Sequence, residues 1–142
     1  MKVAIVSYGT GNIASLQAAL RSLNATSYLA KNIADFTKAD SIIFPGVGNF
    51  TYAAKNLEEL GIKNHLINLI KDGIPTLGIC LGFQLLTISS EESSKYKGLG
   101  LLPLKTLRIE VKNTLLHKVP HIGWNTIKSL NKNSKLLRDI QL

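Results

Sequence analysis

Pro75-Thr76-Leu77-Gly78-Ile79-Cys80-Leu81-Gly82-Phe83-Gln84-Leu85-Leu86 holds a strand, a sharp turn and the start of a helix. Pro75 to Ile79 is a short apolar run bounded by turn residues, which predicts a buried strand. Leu81 to Ile88 then carries helical apolar spacing. Gly78 and Gly82 stand two positions either side of Cys80, the spacing of a G-x-nucleophile-x-G elbow, where small residues permit a crowded turn. A strand delivered directly into a helix is one step of a βαβ chain, so this run predicts an α/β protein.

Upstream, the same alternation repeats. Val3 to Val6 is an apolar run broken by Gly9-Thr10-Gly11-Asn12. Asn12 or Ser15 can cap a helix carrying Ile13, Leu16, Ala19, Leu20 and Leu23 on one face. Thr26 to Ala30 predicts a strand, Ile33 to Thr37 a short polar helix, and Ser41-Ile42-Ile43-Phe44 a third strand stopped by Pro45-Gly46. Helical spacing follows from about Tyr52 to Leu60 and from Ile62 to Lys71, with Gly61 between. Apolar strands alternating with amphipathic helices imply a mostly parallel sheet covered by helices on both faces.

After Gly98 the pattern changes. Leu104 to Val111 and Asn125 to Leu130 read as strands joined by turns, predicting an antiparallel extension of the sheet. Ser134 to Ile140 begins like a capped helix, and Leu142 follows without a terminating glycine. No internal repeat or linker is legible, so a single domain over residues 1–142 is expected, incomplete at its C-terminus.

The 142 residues are 45% apolar, enough for a core of their own. No apolar stretch is long enough to span a membrane, and Ser7-Tyr8-Gly9 breaks the N-terminal run too early for a signal peptide. A single cysteine excludes an internal disulfide, and a cytoplasmic location is expected. The formal charge is +8, and residues 105–139 carry eight basic against two acidic side chains. Such a bias fits nucleic acid or a solvated, lysine-rich surface. The lysines are scattered singly, without interleaved aromatic platforms, so no nucleic-acid partner is expected. No membrane partner is expected either.

Cys80 is the candidate nucleophile. The turn would expose its thiol at the carboxyl end of the sheet, where ligands bind in open α/β folds. It would also set the sulfur at a helix N-terminus, which favours thiolate, and aim the Leu81 N–H at an oxyanion on an attacked carbonyl. The plainer alternative is a buried structural cysteine between packing glycines. Pro45-Gly46-Val47-Gly48 ends the neighbouring strand, and the N–H of Val47 or Gly48 can serve as a second oxyanion donor; an ordinary strand-to-helix turn explains the same residues. Gly9-Thr10-Gly11-Asn12-Ile13-Ala14 has the G-x-G-x-x-A form of a dinucleotide loop, but Ala30-Lys31-Asn32 stands where the confirming acid belongs. A tight turn and helix cap account for it. His65, His117 and His121 are the available bases. His65 lies on a predicted helix surface, and His117 and His121 flank Val119-Pro120 with no orienting carboxylate beside them.

Together these runs resemble the class I (triad) glutamine amidotransferases, a flavodoxin-like fold. Tyr8 to Ile13, Pro45 to Phe50, Gly78 to Leu86, Gly98 to Leu101 and Val119 to Asn125 look most like the glutaminase subunits of imidazole glycerol phosphate synthase. The resemblance implies that Cys80 attacks the side-chain carbonyl of glutamine, forms a glutamyl thioester and releases ammonia. It assigns Val47, Gly48 and Leu81 to the oxyanion, and Gly46 and Gln84 to substrate. Asn12, His121, Trp124 and Asn125 would face a (β/α)8 cyclase subunit in a heterodimer. That subunit would join the ammonia to a phosphoribulosyl nucleotide in histidine biosynthesis. No cofactor and no metal are implied.

Two departures stand out. Relatives usually carry Glu where this chain has Ile88, in the run after the elbow. The family's His-Pro-Glu segment, which supplies the catalytic base and its orienting carboxylate, has no counterpart in these 142 residues. The C-terminal strands are therefore read as missing, and the chain alone is expected not to turn over glutamine. Two alternatives stay open: a paralogous subunit feeding ammonia to another acceptor such as a surface sugar, and a non-catalytic binding subunit.

Overall fold

The computed structural model describes residues 1–111, 119–127 and 134–137. The chain divides into two compact units, Met1–Arg108 and Ile109–Leu142.

In the first unit, β1 (Lys2–Val6), α1 (Ile13–Ser22), β2 (Thr26–Ala30), β3 (Ser41–Phe44), α2 (Phe50–Glu59), α3 (Lys63–Lys71), β4 (Thr76–Gly78) and α4 (Leu81–Leu86) follow in order. A 3₁₀ turn over Ile33–Lys38 links β2 to β3, with Asn32 and Asp35 closing a capping box at its start. The four strands form one parallel sheet in the order β2-β1-β3-β4. Successive residues of β1 go to opposite faces, as a pleated strand requires. Val3 and Ile5 pack with Ile43, Leu20, Ile13 and Leu16 on the α1 side. Ala4 and Val6 join Ile42, Phe44, Phe50, Leu57, Leu66, Leu81 and Leu85 in the larger cluster on the other face. Both faces are covered, which is why β1 and β3 are continuous apolar runs.

Asn12, not Ser15, caps α1, its side chain accepting from the Ser15 N–H at 3.3 Å. Of the five residues expected on the buried stripe of α1, Ala19 and Leu23 are exposed. Leu23 is the C-cap, where the helical face has ended.

The antiparallel extension is corrected for the described residues. Only Lys105–Thr106 (β6) forms a strand in the expected 104–111 stretch, and it pairs in parallel with β5 (Ser89–Ser90) in a separate two-stranded sheet. The cause lies in the connection. Residues 98–102 wrap the end of α4 through Leu99 N–H to Leu85 O (2.7 Å), Gly100 N–H to Thr87 O (3.0 Å) and Leu102 N–H to Leu86 O (2.9 Å). Leu99 is buried there, and Gly98 lies so close to the Thr87 carbonyl that no Cβ fits. The chain thus reaches β5 running in the same direction.

In the second unit, residues 125–127 are irregular and 128–130 lie outside the described residues, so that expected strand has no support in its described part. The helix expected from Ser134 opens as a 3₁₀ turn at Lys135–Leu137, and its continuation lies outside the described residues. Among the described residues no helix is long and apolar enough to cross a membrane, and no cluster of His, Cys, Asp and Glu could hold a metal ion.

Candidate active site

Three strand ends meet at the carboxyl edge of the sheet, because β1, β3 and β4 are neighbours and parallel. β1 delivers Tyr8 and the loop Gly9-Thr10-Gly11, β3 delivers Pro45 to Asn49, and β4 delivers Cys80.

Cys80 is exposed, so the buried structural alternative does not hold. Its backbone takes φ 54° and ψ −116°, a region that non-glycine residues rarely occupy. Holding it there costs on the order of 1–3 kcal/mol, which surrounding contacts must offset. They are on both sides. The Ile79 N–H donates to the Phe44 carbonyl at 2.8 Å, the Gly82 N–H to Ile79 O at 3.0 Å and the Gln84 N–H to Cys80 O at 3.1 Å. The two flanking glycines are required by contact. A Cβ on Gly78 would stand 2.6 Å from the Phe83 Cα, and one on Gly82 would collide with the Phe44 carbonyl.

Leu81 opens α4, so its N–H has no intrahelical acceptor and is free to meet an oxyanion beside Cys80. Its side chain is buried, which anchors the helix start. The β3 loop lies against it: a Cβ on Gly46 would fall 2.9 Å from Leu81 Cβ and 3.0 Å from the Gly82 N. Adjacent strands therefore bring Gly46 onto the elbow, as the sequence led one to expect. Beyond Gly46 the loop opens outward, with Val47 exposed and Gly48 at φ +101° with free space around it. Gln84 is half-buried on α4, one turn beyond Cys80. Ile88 points outward at 40% exposure, so replacing the usual Glu leaves no buried gap. The buried polar positions nearby are Thr87 and Ser90, and Thr87 Oγ1 donates to the Gln84 carbonyl at 2.7 Å.

Two residues emerge only from the structure. Tyr8 is buried beneath the loop, and its hydroxyl donates to the Pro45 carbonyl. Its own carbonyl accepts from Asn56 Nδ2 at 2.9 Å, so it ties β1 to both the loop and α2. Burial pushes the Tyr8 phenol up to about 12; the Thr10 hydroxyl opposes this, and charge on Cys80 adds to it. Thr10 Oγ1 is shielded from water, with no partner at hydrogen-bonding geometry among the described residues. The second is Glu92, whose carboxylate meets the far end of the β3 loop. Tyr8 opens one of the runs that carry the resemblance, but neither contact had a sequence signal, since each acts across roughly forty residues of chain.

A raised phenol pKa has a definite sign. The neutral phenol is favoured in the folded state, so its stabilisation is complete below pH 10 and is lost between about pH 10 and 12. Stability should fall by roughly 2–3 kcal/mol through that window. Tyr8→Phe should lack this fall, and at neutral pH should cost about 1–2 kcal/mol for the unpaired Pro45 carbonyl. Urea titrations of both proteins between pH 7 and 12 read both effects.

A cavity of about 600 Å³ opens beside the loops, lined by Ser7, Thr10, Gly11, Val47, Asn49 and Tyr52 among others. It joins the two glycine-bearing loops, so the G-x-G run lines a cavity and leads into a helix cap, and Cys80 is not among the lining residues. Asn12 is exposed and spends its side chain on the α1 cap.

The histidines differ. His65 lies on α3, partly buried, with its ring 6.2 Å from Phe36 and Nε2 shielded without a partner among the described residues. It is less of a surface group than its helix position suggested. His117 lies outside the described residues. In the second unit, His121 Nε2 and Asn125 Nδ2 are 2.6 Å apart, and Trp124 is exposed.

Residues 2–133 match the model of the CobB/CobQ-like glutamine amidotransferase domain. The chain is 40% identical to "Imidazole glycerol phosphate synthase subunit HisH" of Halalkalibacterium halodurans, over 96% of this chain and 65% of that protein. It is 43% identical to the protein of the same name in Methanopyrus kandleri, over 90% of this chain and 62% of that one. It also matches "Imidazole glycerol phosphate synthase hisHF, chloroplastic" of Arabidopsis thaliana at 41%, covering 97% of this chain and 23% of that protein. The chain thus spans less than two thirds of the length of these relatives. Among solved structures, a glutamine amidotransferase aligns with TM-score 0.66 at 22% identity, over 75% of this chain and 56% of that one. A peptidase E-type protein of Listeria monocytogenes aligns with TM-score 0.59 at 16% identity, over 72% and 63%. These two likenesses speak to the fold alone, a mostly parallel sheet flanked by helices. With the family model covering nearly every residue, the chain belongs to the CobB/CobQ-like glutamine amidotransferase domain family.

Proposed function

We propose that this chain is the nucleophile-bearing part of a cytoplasmic glutaminase subunit, whose ammonia passes to a (β/α)8 cyclase that makes imidazole glycerol phosphate. The observation that carries the reading is Cys80: exposed, at positive φ, and followed at once by a helix start whose Leu81 and Gly82 lie against Gly46. In this reading the Cys80 thiolate attacks the carboxamide carbon of glutamine. The oxyanion is met by the N–H of Leu81 and of Val47 or Gly48, and Gly46 and Gln84 hold the substrate. Collapse of the tetrahedral species breaks the C–N bond, a proton goes to the departing nitrogen, and ammonia leaves a thioester for water to cleave. The resemblance places the proton carrier and its carboxylate in a His-Pro-Glu segment that these residues do not include. We read residues 1–142 as part of one such amidotransferase domain. Two relatives are named as subunits of imidazole glycerol phosphate synthase, which supports a partner subunit, and the resemblance makes that partner the cyclase.

In this reading Asn12 of the first unit, and separately His121, Trp124 and Asn125 of the second, are the residues that face the partner. Exposed tryptophans are common anchors of protein interfaces. Titration of the chain into the cyclase subunit should give a one-to-one complex, and Trp124→Ala should weaken it at least about tenfold. A cyclase that ignores the chain, or binds the variant equally, would contradict this partner.

A further inference from the structure

Glu92 follows β5 and reaches across the sheet edge to the loop after β3. Its Oε2 accepts from the Phe50 N–H at 2.8 Å and from Asn49 Nδ2 at 3.1 Å, and its carbonyl accepts from Thr51 Oγ1 at 2.6 Å. Asn49 Oδ1 caps α2 by accepting from the Tyr52 N–H at 3.2 Å, so the Asn49 amide is used at both ends. Glu92 is itself held, its N–H donating to Oγ of the buried Ser90 at 3.2 Å. A carboxylate at the first turn of α2 is favoured by the helix dipole and by charge-assisted bonding to Phe50.

The loop is thus fastened at two places. Gly46 is wedged against Tyr8, Leu81 and Gly82, and Asn49-Phe50 is tied to Glu92. Between them, Val47 is exposed and a Cβ added at Gly48 would meet open space, so side-chain packing does not hold the tip at these two residues. We propose that Glu92 is a positioning residue: by holding Asn49 and Phe50, it turns the Val47 and Gly48 N–H groups toward an oxyanion at Cys80. This deepens the glutaminase reading and rests on it.

The test compares two reactions of the same thiol on the 142-residue chain. A p-nitrophenyl ester acylates Cys80 through a tetrahedral oxyanion: the thiolate attacks the carbonyl, p-nitrophenolate leaves, and a thioester forms. Iodoacetamide alkylates Cys80 by displacing iodide, with no oxyanion. Glu92→Ala should slow acylation about tenfold or more, leave alkylation unchanged, and speed hydrogen exchange at the Phe50 amide. Glu92→Gln keeps an acceptor oxygen for Phe50 and Asn49 and should restore most of the acylation rate. Glu92's role is overturned if Glu92→Ala acylates at the wild-type rate, if both reactions fall by the same factor, or if Glu92→Gln is as slow as Glu92→Ala. A wild-type chain that alkylates but does not acylate at Cys80 would instead overturn the loop as oxyanion donor, and the role of Glu92 with it.

Discussion

Gly82→Ala should cost about 3 kcal/mol or more, a large share of the stability of a domain this size. Helix propensity alone argues the other way, since Ala is favoured over Gly inside a helix by about 1 kcal/mol. Contact decides the sign. The added methyl would collide with the Phe44 carbonyl and come within 2.9 Å of Phe44 Cβ. Phe44 is fully buried on β3, between β1 and β4, and its carbonyl holds the Ile79 N–H. It cannot retreat without parting β3 from β4 and dragging Cys80 out of place. Gly61→Ala is the control, because Gly61 has φ +67° with nothing within 4 Å of the added carbon. It should lose only about 1 kcal/mol from backbone strain. Denaturant titrations of the two variants separate collision from conformation.

Substitutions at Cys80 should separate stability from chemistry. Cys80→Ala removes the thiol and with it all covalent capture at this site, while leaving the strained backbone as it is. Cys80→Gly removes the same thiol but suits φ 54° far better, so it should be more stable than Cys80→Ala by about 1 kcal/mol. A nucleophile held in a disfavoured conformation gives that result, because the strain is retained for what the side chain does. Equal stability of the two variants would mean that the turn imposes no strain.

How much of this could be read in the residues differs from place to place. The Pro75–Leu86 run carried the strand, the turn and the helix, because a period change and two glycines mark them locally. The sheet order places Gly46 beside Leu81, as neighbouring strand ends suggested. The reach of the Phe44 carbonyl to Gly82 was not legible, being a contact across thirty-eight residues with no local signature. Tyr8 beneath Pro45 and Glu92 on Phe50 were hidden for the same reason. The parallel pairing of β6 with β5 is not legible in the residues, because strand propensity around Leu104 says nothing about direction. Direction was set instead by Gly98 to Leu102 wrapping the end of α4. Ile88 was a different case. Its departure from the usual Glu was plain in the residues, but its outward orientation needed the fold.

If Cys80 is a nucleophile shaped for glutamine, a glutamine-like electrophile should find it and no other residue. A diazoketone built on the glutamine skeleton, incubated with the 142-residue chain and followed by peptide mass spectrometry, tests this. One adduct on Cys80 is predicted, absent from Cys80→Ala and slowed by L-glutamine but not by D-glutamine. Labelling elsewhere, or labelling of Cys80 that L-glutamine does not slow, would contradict it.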